Sequence, residues 1–198
     1  ALRDFKVRYK QTLVGVGWAF LRPLITVVIF TAIFGKVAGL PSEGGAPYAV
    51  MVMAAMLPWY LFSSSFVEGS NSLVANSNLI TKIYFPRIII PISCLFVNIV
   101  DFIISFLILL LVMLFYQYEP TRNLLYLPVF LAGVLIFSVG GILWMSALNV
   151  SYRDVRYVVP FIVQLGLYVS PVGFSSSIIK DEWRVFYSLN PMVGIIDG

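Results

Sequence analysis

Residues 88–118 read IIIPISCLFVNIVDFIISFLILLLVMLFYQY, 31 residues in which the only charged side chain is Asp101. As a helix rising about 1.5 Å per residue this stretch is ~46 Å long, more than the roughly 30 Å hydrocarbon core of a bilayer. The rest of the chain has the same character. Of 198 residues, 60% are hydrophobic and 11% charged, and mean hydropathy is +0.95. Soluble domains carry about 25% charged residues, and one this small has too little interior to hide so much apolar surface. The sequence is that of a membrane protein.

Outward from 88–118, a charge at mid-bilayer costs roughly 2.5–3.5 kcal/mol, so charge-free runs mark further spans. The runs 44–67, 123–152 and 157–179 have 24, 30 and 23 residues. A fifth, 11–35, tolerates Arg22. The expectation is an all-α membrane protein, a polytopic helical bundle forming one domain over 1–198. Its five spans are placed at about 18–38, 46–67, 88–116, 124–149 and 158–179. Barrel strands are excluded, being about 10 residues long with alternating polarity. A sixth span is expected to follow, because the chain ends just after a return turn.

Basic residues set the orientation. With the N-terminus cytoplasmic, that side carries Arg3, Lys6, Arg8, Lys10, Arg22, Lys82, Arg87, Arg153 and Arg156. The far side carries Lys36, Arg122, Lys180 and Arg184, with Glu43, Glu119, Asp181, Glu182 and Asp197. The net charge of +4 is therefore spread along membrane flanks, which argues against nucleic acid as a partner. No histidine is present, which removes His triads, His metal sites and imidazole relays. Cys94 alone allows no internal disulfide and no CxxC pair. No GxxxxGK[ST] loop occurs, so the chain does not hold ATP by that device. Its energy comes from elsewhere.

Four segments carry more. In 2–20, Leu2, Phe5, Tyr9, Leu13, Val16 and Phe20 recur at helical spacing, with Arg3, Lys6 and Lys10 on another face. Such a basic amphipathic helix lies in the membrane interface, as an anchor or as a lever against a cytoplasmic partner. In 68–87, Asn71, Asn76 and Asn78 are potential helix caps, and Leu79, Ile80, Ile83 and Tyr84 form a short apolar face before Pro86. This loop either docks on another protein or rests on the membrane. Around 149–160, the Ser151-to-Asp154 spacing matches a capping box and predicts a short helix from Tyr152, confining Arg153, Asp154 and Arg156 between two spans. A protein contact is favoured there over a plain basic loop. In 170–197, Pro171 and Gly173 interrupt the fifth span, 175–177 is polar, and Asn190-Pro191 marks a new helix start. With Trp183, Phe186, Tyr187 and Leu189 nearby, this reads as a re-entrant extracellular pair of short helices, or as a surface hairpin held by interfacial aromatics.

Asn98 and Asp101, three apart, share a helix face. Structural pairing is favoured for Asp101 over proton carriage. Among the aromatic residues, Phe30, Phe34, Trp59, Tyr60, Tyr168 and Phe174 lie in or at the ends of spans. They suit lipid or interface contact, and their faces also suit the C–H faces of sliding sugar rings, which makes them candidate channel-lining residues.

RDFKVRYKQ (3–11), GWA (17–19) and LRPL (21–24) resemble the N-terminal segment of bacterial polysaccharide-exporting ABC permeases. So do NLITK (78–82), YFPR (84–87), ALNV (147–150), YRDVRY (152–157), SPV (170–172) and LNPM (189–192). The motifs run in order over essentially the whole chain. The resemblance implies a six-span half-transporter of the inner membrane that pairs with a second copy of itself to form a translocation channel. Two copies of a separate ATP-binding cassette subunit would hold ATP and Mg, leaving no cofactor in this chain. The cargo implied is lipid-linked O-antigen, teichoic acid or a capsule-type glycan. Arg3, Lys6, Arg8 and Lys10 would belong to the interface helix. Asn78, Lys82 and Tyr84, with Arg153, Asp154, Arg156 and Tyr157, would face the ATPase. The alternatives are an ABC exporter of drugs or other small amphiphiles, and an ion-coupled flippase or channel using Asp101. A membrane glycosyltransferase is disfavoured, since Asp101 is the only carboxylate available inside the spans.

Overall fold

The computed structural model describes residues 15–37, 39, 46–119, 125–174 and 181–196. Every regular element among them is helical. Helix α1 is Gly15–Phe30, continued by the π-helical segment Thr31–Val37. Then follow α2 (Tyr48–Ala75), α3 (Ser77–Lys82), α4 (Ile89–Phe115), α5 (Leu127–Ser151) and α6 (Val155–Val169). The short pair α7 (Asp181–Ser188) and α8 (Pro191–Ile196) comes last. In α4, β-branched Ile and Val are helical despite weak propensity, because in hydrocarbon each backbone N–H and C=O must find its partner within its own segment.

Helices α2, α4 and α5 are long and apolar enough to cross a membrane, and α6 and Pro23–Ile33 are shorter apolar helices. The centre of the bundle is α2, which packs against α1, α4, α5, α6 and α8. Its directions relative to its neighbours follow from single contacts. Gly35 meets Tyr48 while the Tyr60 hydroxyl donates to Thr26 Oγ1 at 2.9 Å, so α1 runs antiparallel to α2. Phe62 stacks on Phe137 at 5.2 Å and Asn149 reaches Ser70 and Asn71, so α5 runs parallel to α2. The C-terminal ends of α2 and α5 therefore lie on one side of the bundle, together with α3, the 83–88 turn and residues 152–154.

Three glycines let helices approach α2. A Cβ on Gly141 would stand 2.4 Å from Phe66 Cε2, one on Gly69 2.5 Å from Ile142 Cγ2, and one on Gly166 2.9 Å from Trp59. Real side-chain carbons do not come that close. The α2–α5 and α2–α6 contacts are thus built on small residues, as expected where lipid offers no hydrophobic drive between helices.

Several expectations change. The second span was placed at 46–67 with a loop from 68 to 87; α2 instead continues to Ala75, so Glu68 and Asn71 are helical. Asn71 lies inside α2, its side-chain amide donating back to Val67 O; Asn76 both closes α2 and takes the N-cap position of α3, but its amide donates to Ser72 O and it makes no side-chain cap bond. The capping box at Ser151 does not form. Ser151 is the last residue of α5, Tyr152 is its cap, and Asp154 precedes α6 without a side-chain cap bond. No separate helix links the spans; Arg153 and Asp154 sit in a tight turn and Arg156 in the first turn of α6. In the fifth span, expected over 158–179, helix α6 ends at Val169 and residues 170–174 are not helical, while 175–179 lie outside the described residues. Ser170 takes φ −91°, ψ 150°, the extended conformation a following proline imposes. Residues 1–14, with Arg3, Lys6, Arg8 and Lys10, lie outside the described residues, and 15–20 of the expected interface helix belong to α1.

At the opposite end, Asn190 ties the short pair to the bundle. Its side-chain oxygen accepts from Met192 N at 3.0 Å, capping α8, and its amide donates to Ser170 Oγ at 3.1 Å. Pro191 fills the first helical position, where no N–H is required. Met192 and Val193 are buried. The Tyr48 hydroxyl donates to Gly173 O, joining the start of α2 to the segment after α6.

Candidate functional site

Two features build the end of the bundle where α2 and α5 terminate. The first is a girdle of polar side chains inside it. The Asn98 amide, on α4 and 2% exposed, donates to Glu68 Oε2 at 3.1 Å and to Cys94 O at 3.0 Å. The Asn149 amide, on α5, donates to Ser70 O at 2.9 Å and Asn71 Oδ1 at 3.0 Å on α2. Helices α4 and α5 are thereby both fixed to α2 at one level. Beside this girdle, a cavity of about 500 Å³ is lined by Glu68, Asn71, Asn76, Phe85, Ser93 and Cys94, among others. Interhelical hydrogen bonds in membranes contribute about 0.6–2 kcal/mol each. Asn149→Leu is therefore expected to lower the unfolding free energy by about 1 kcal/mol, read by thermal melting of the purified protein. An unchanged melting temperature would mean that Asn149 does not hold α5 to α2.

The second feature is what projects from that end. Asn78 and Lys82 are exposed on α3, and Tyr84 is fully exposed just beyond it. Arg153, Asp154, Arg156 and Tyr157 are exposed at the α5–α6 turn. The Arg156 guanidinium carbon lies 4.7 Å from the Tyr157 ring centroid, a cation–π contact that presents charge and ring together. All seven residues marked in the sequence for partner contact thus stand at one end, on two connections that leave neighbouring helices. The α5–α6 connection spans only 152–154 and starts three residues after the Asn149 tie, so it has little slack.

The aromatic candidates separate. Trp59, expected along a channel, is a core residue of this subunit, 4% exposed and packed on Gly166 and Phe62. Its ring is needed to fill the α2–α6 contact and has no free face. Tyr60 is half-buried and ties α2 to α1 through Thr26, and Phe30 packs against the core. Phe174 is half-buried and Tyr168 is 68% exposed. Phe34 lies in the π-helical segment, its side chain outside those described. Asp101 is half-buried on the Asn98 side of α4. Sequence reasoning missed the Glu68–Asn98 and Asn149–Asn71 pairs. Their signal was present as asparagines in otherwise apolar runs, which need partners wherever they are buried.

The family model for the ABC-2 type transporter matches residues 1–198. The chain belongs to the ABC-2 type transporter family. The relatives of this ABC-2 chain include the O-antigen export system permease protein RfbA of Myxococcus xanthus, 28% identical over 198 residues, covering 98% of this chain and 74% of the relative. A protein of the same name from Klebsiella pneumoniae is 28% identical over 195 residues, with the same coverage. The polysialic acid transport protein KpsM of Escherichia coli is 22% identical over 197 residues, covering 99% of this chain and 76% of the relative.

Proposed function

We propose that this chain is the transmembrane subunit of an ATP-driven exporter of lipid-linked polysaccharide across the inner membrane. It works as two copies joined to two copies of a separate ATPase subunit, which carries the ATP and Mg, and its N-terminus is cytoplasmic. The observation that supports this reading most is similarity along nearly the whole chain to an O-antigen export permease and to a polysialic acid transport protein, both named for polysaccharides. The clustering of Asn78, Lys82, Tyr84, Arg153, Asp154, Arg156 and Tyr157 at one end supplies a surface for the ATPase.

In this mechanism, closure of the ATPase dimer presses on α3 and on the α5–α6 turn. The three-residue turn passes the push to α6, while Asn149 and the glycine contacts make α2 and α5 move as one body. Rigid movement of the helices then widens a path at the axis between two copies, lined by Tyr168 with Phe174 and Phe30. A polymer can slide along such rings because stacking on a sugar's C–H face sets no unique hydrogen-bond register.

Deleting the genes for this chain and its ATPase together is expected to strand the polysaccharide inside the cell, with surface display restored only when both are supplied. Normal surface glycan in the deletion strain would contradict the proposal. Asp101→Asn separates the ion-coupled alternative: export is expected to stay ATP-dependent and near its unsubstituted rate. Collapse of transport whatever the ATP supply would favour ion coupling.

A further inference from the structure

We infer that Gln164 on α6 is a cargo-contacting residue, its amide hydrogen-bonding sugar hydroxyls between the rings of Phe161 and Tyr168; this rests on the export reading above. Successive residues of a helix are about 100° apart, and the inward stripe of α6 is Val159, Val163 and Gly166, Val159 being 0% exposed and the other two half-buried. Tyr157, Phe161, Gln164 and Tyr168 fall together in a sector of roughly 60° on the opposite side. All four are exposed, the three rings at 66%, 60% and 68%. This outward ridge is aromatic and amide throughout, whereas the exposed flank beside it, Val158, Ile162, Leu165 and Val169, is aliphatic.

Depth makes the amide informative. Gly166 packs on Trp59, the twelfth residue of the 28-residue α2, so Gln164 stands level with the middle of a membrane-length helix. An amide facing hydrocarbon there would leave two donors and an acceptor unpaired, which is costly. The ridge is therefore covered by something polar. Aliphatic side chains are the cheap choice against lipid, whereas rings interleaved with an amide match a sugar, whose C–H face stacks while its hydroxyls take and give hydrogen bonds. Sequence reasoning marked Tyr168 on this helix but not Gln164, because an uncharged amide does not interrupt a charge-free run.

The test uses the complete exporter in cells, with Cys94→Ser as background. Gln164→Cys is expected to react with a membrane-impermeant, cationic methanethiosulfonate many-fold faster than Ile162→Cys or Val169→Cys, and to be protected while glycan is being supplied. Gln164→Leu is expected to reduce export roughly three- to tenfold, the size of one lost hydrogen bond, with subunit level and ATPase co-purification unchanged. Three results would overturn the assignment: labelling at 164 no faster than at 162 and 169; full export by Gln164→Leu; or oxidative cross-linking of two copies through 164, which would make the ridge a subunit contact. A failure of the export reading appears elsewhere, as absence of glycan transport by the unsubstituted exporter.

Discussion

Gly141→Ala is expected to destabilise the purified protein by about 1–3 kcal/mol, the range measured for overpacked interiors. The added carbon would lie 2.4 Å from Phe66 Cε2, and the ring has nowhere to go. Phe66 stacks on Phe62 at 5.3 Å, and Phe62 stacks on Phe137 at 5.2 Å, so displacing one ring displaces three. Gly69→Ala should behave alike, because its carbon would meet Ile142 Cγ2, held close to the α5 backbone in a residue 1% exposed. Gly140→Ala is the control: nothing lies within 4 Å of the added carbon, and its stability should equal or exceed that of the unsubstituted protein by up to about 1 kcal/mol, the helix preference of Ala over Gly. Removing ring bulk with Phe66→Leu should recover part of the Gly141→Ala loss, a coupling that a double-mutant cycle measures. Melting at an unchanged temperature in Gly141→Ala would mean that α2 and α5 do not meet at Phe66.

The second large effect is functional. Arg153→Ala and Asp154→Ala are expected to cut export by about tenfold or more, the scale of a hot-spot truncation, while ATP hydrolysis by the partner continues. Both side chains are exposed, so neither change opens a hole in the fold. In the proposed mechanism, what they alter is the contact through which the ATPase pushes. The turn they occupy is short and joined to the Asn149 tie, so a force received there reaches α6 and α5 without being absorbed. The measurement is glycan export and ATP turnover in the same reconstituted complex. Unchanged export in both variants would place the coupling contact elsewhere, with Lys82 and Tyr84 on the other connection as the next residues to replace.

Hydropathy made the long helices legible. Charge-free runs pointed to α2, α5 and α6, and a run interrupted only by Asp101 pointed to α4, because lipid imposes one strong requirement on every residue of a span. Local end signals were less reliable. Ser151 and Asp154 carry the spacing of a capping box, but a cap forms only where the preceding chain has left the helix, and α5 continues through Ser151. Glu68 was read as the start of a loop because it is charged. In the bundle it is about two turns from the end of α2 and meets Asn98, so the charge marked an interhelical bond rather than a boundary. Asn190 and Pro191 were legible as a helix start because an Asn cap and a first-position proline depend only on local backbone geometry.

The site was less legible than the fold for a physical reason. In water, apolar residues indicate the inside of a helix; in a bilayer both the core and the lipid-facing side are apolar. Trp59 and Tyr168 look equivalent in the sequence, and only packing separates the ring filled by Gly166 from the ring left exposed. Small and polar residues carry the missing information. Glycines mark close contacts between helices, as Gly69, Gly141 and Gly166 do, and uncharged amides mark buried pairs or wet faces, as Asn98, Asn149 and Gln164 do.

The central claim is that this chain is the passive, membrane-embedded part of an exporter fuelled by another subunit. Reconstitution into liposomes loaded with lipid-linked glycan tests it most directly, with the chain supplied alone and then with its ATPase. The account predicts no net glycan transfer from the chain alone, with or without ATP, and ATP-dependent transfer once the ATPase is added. Uphill transfer by the chain alone would contradict it.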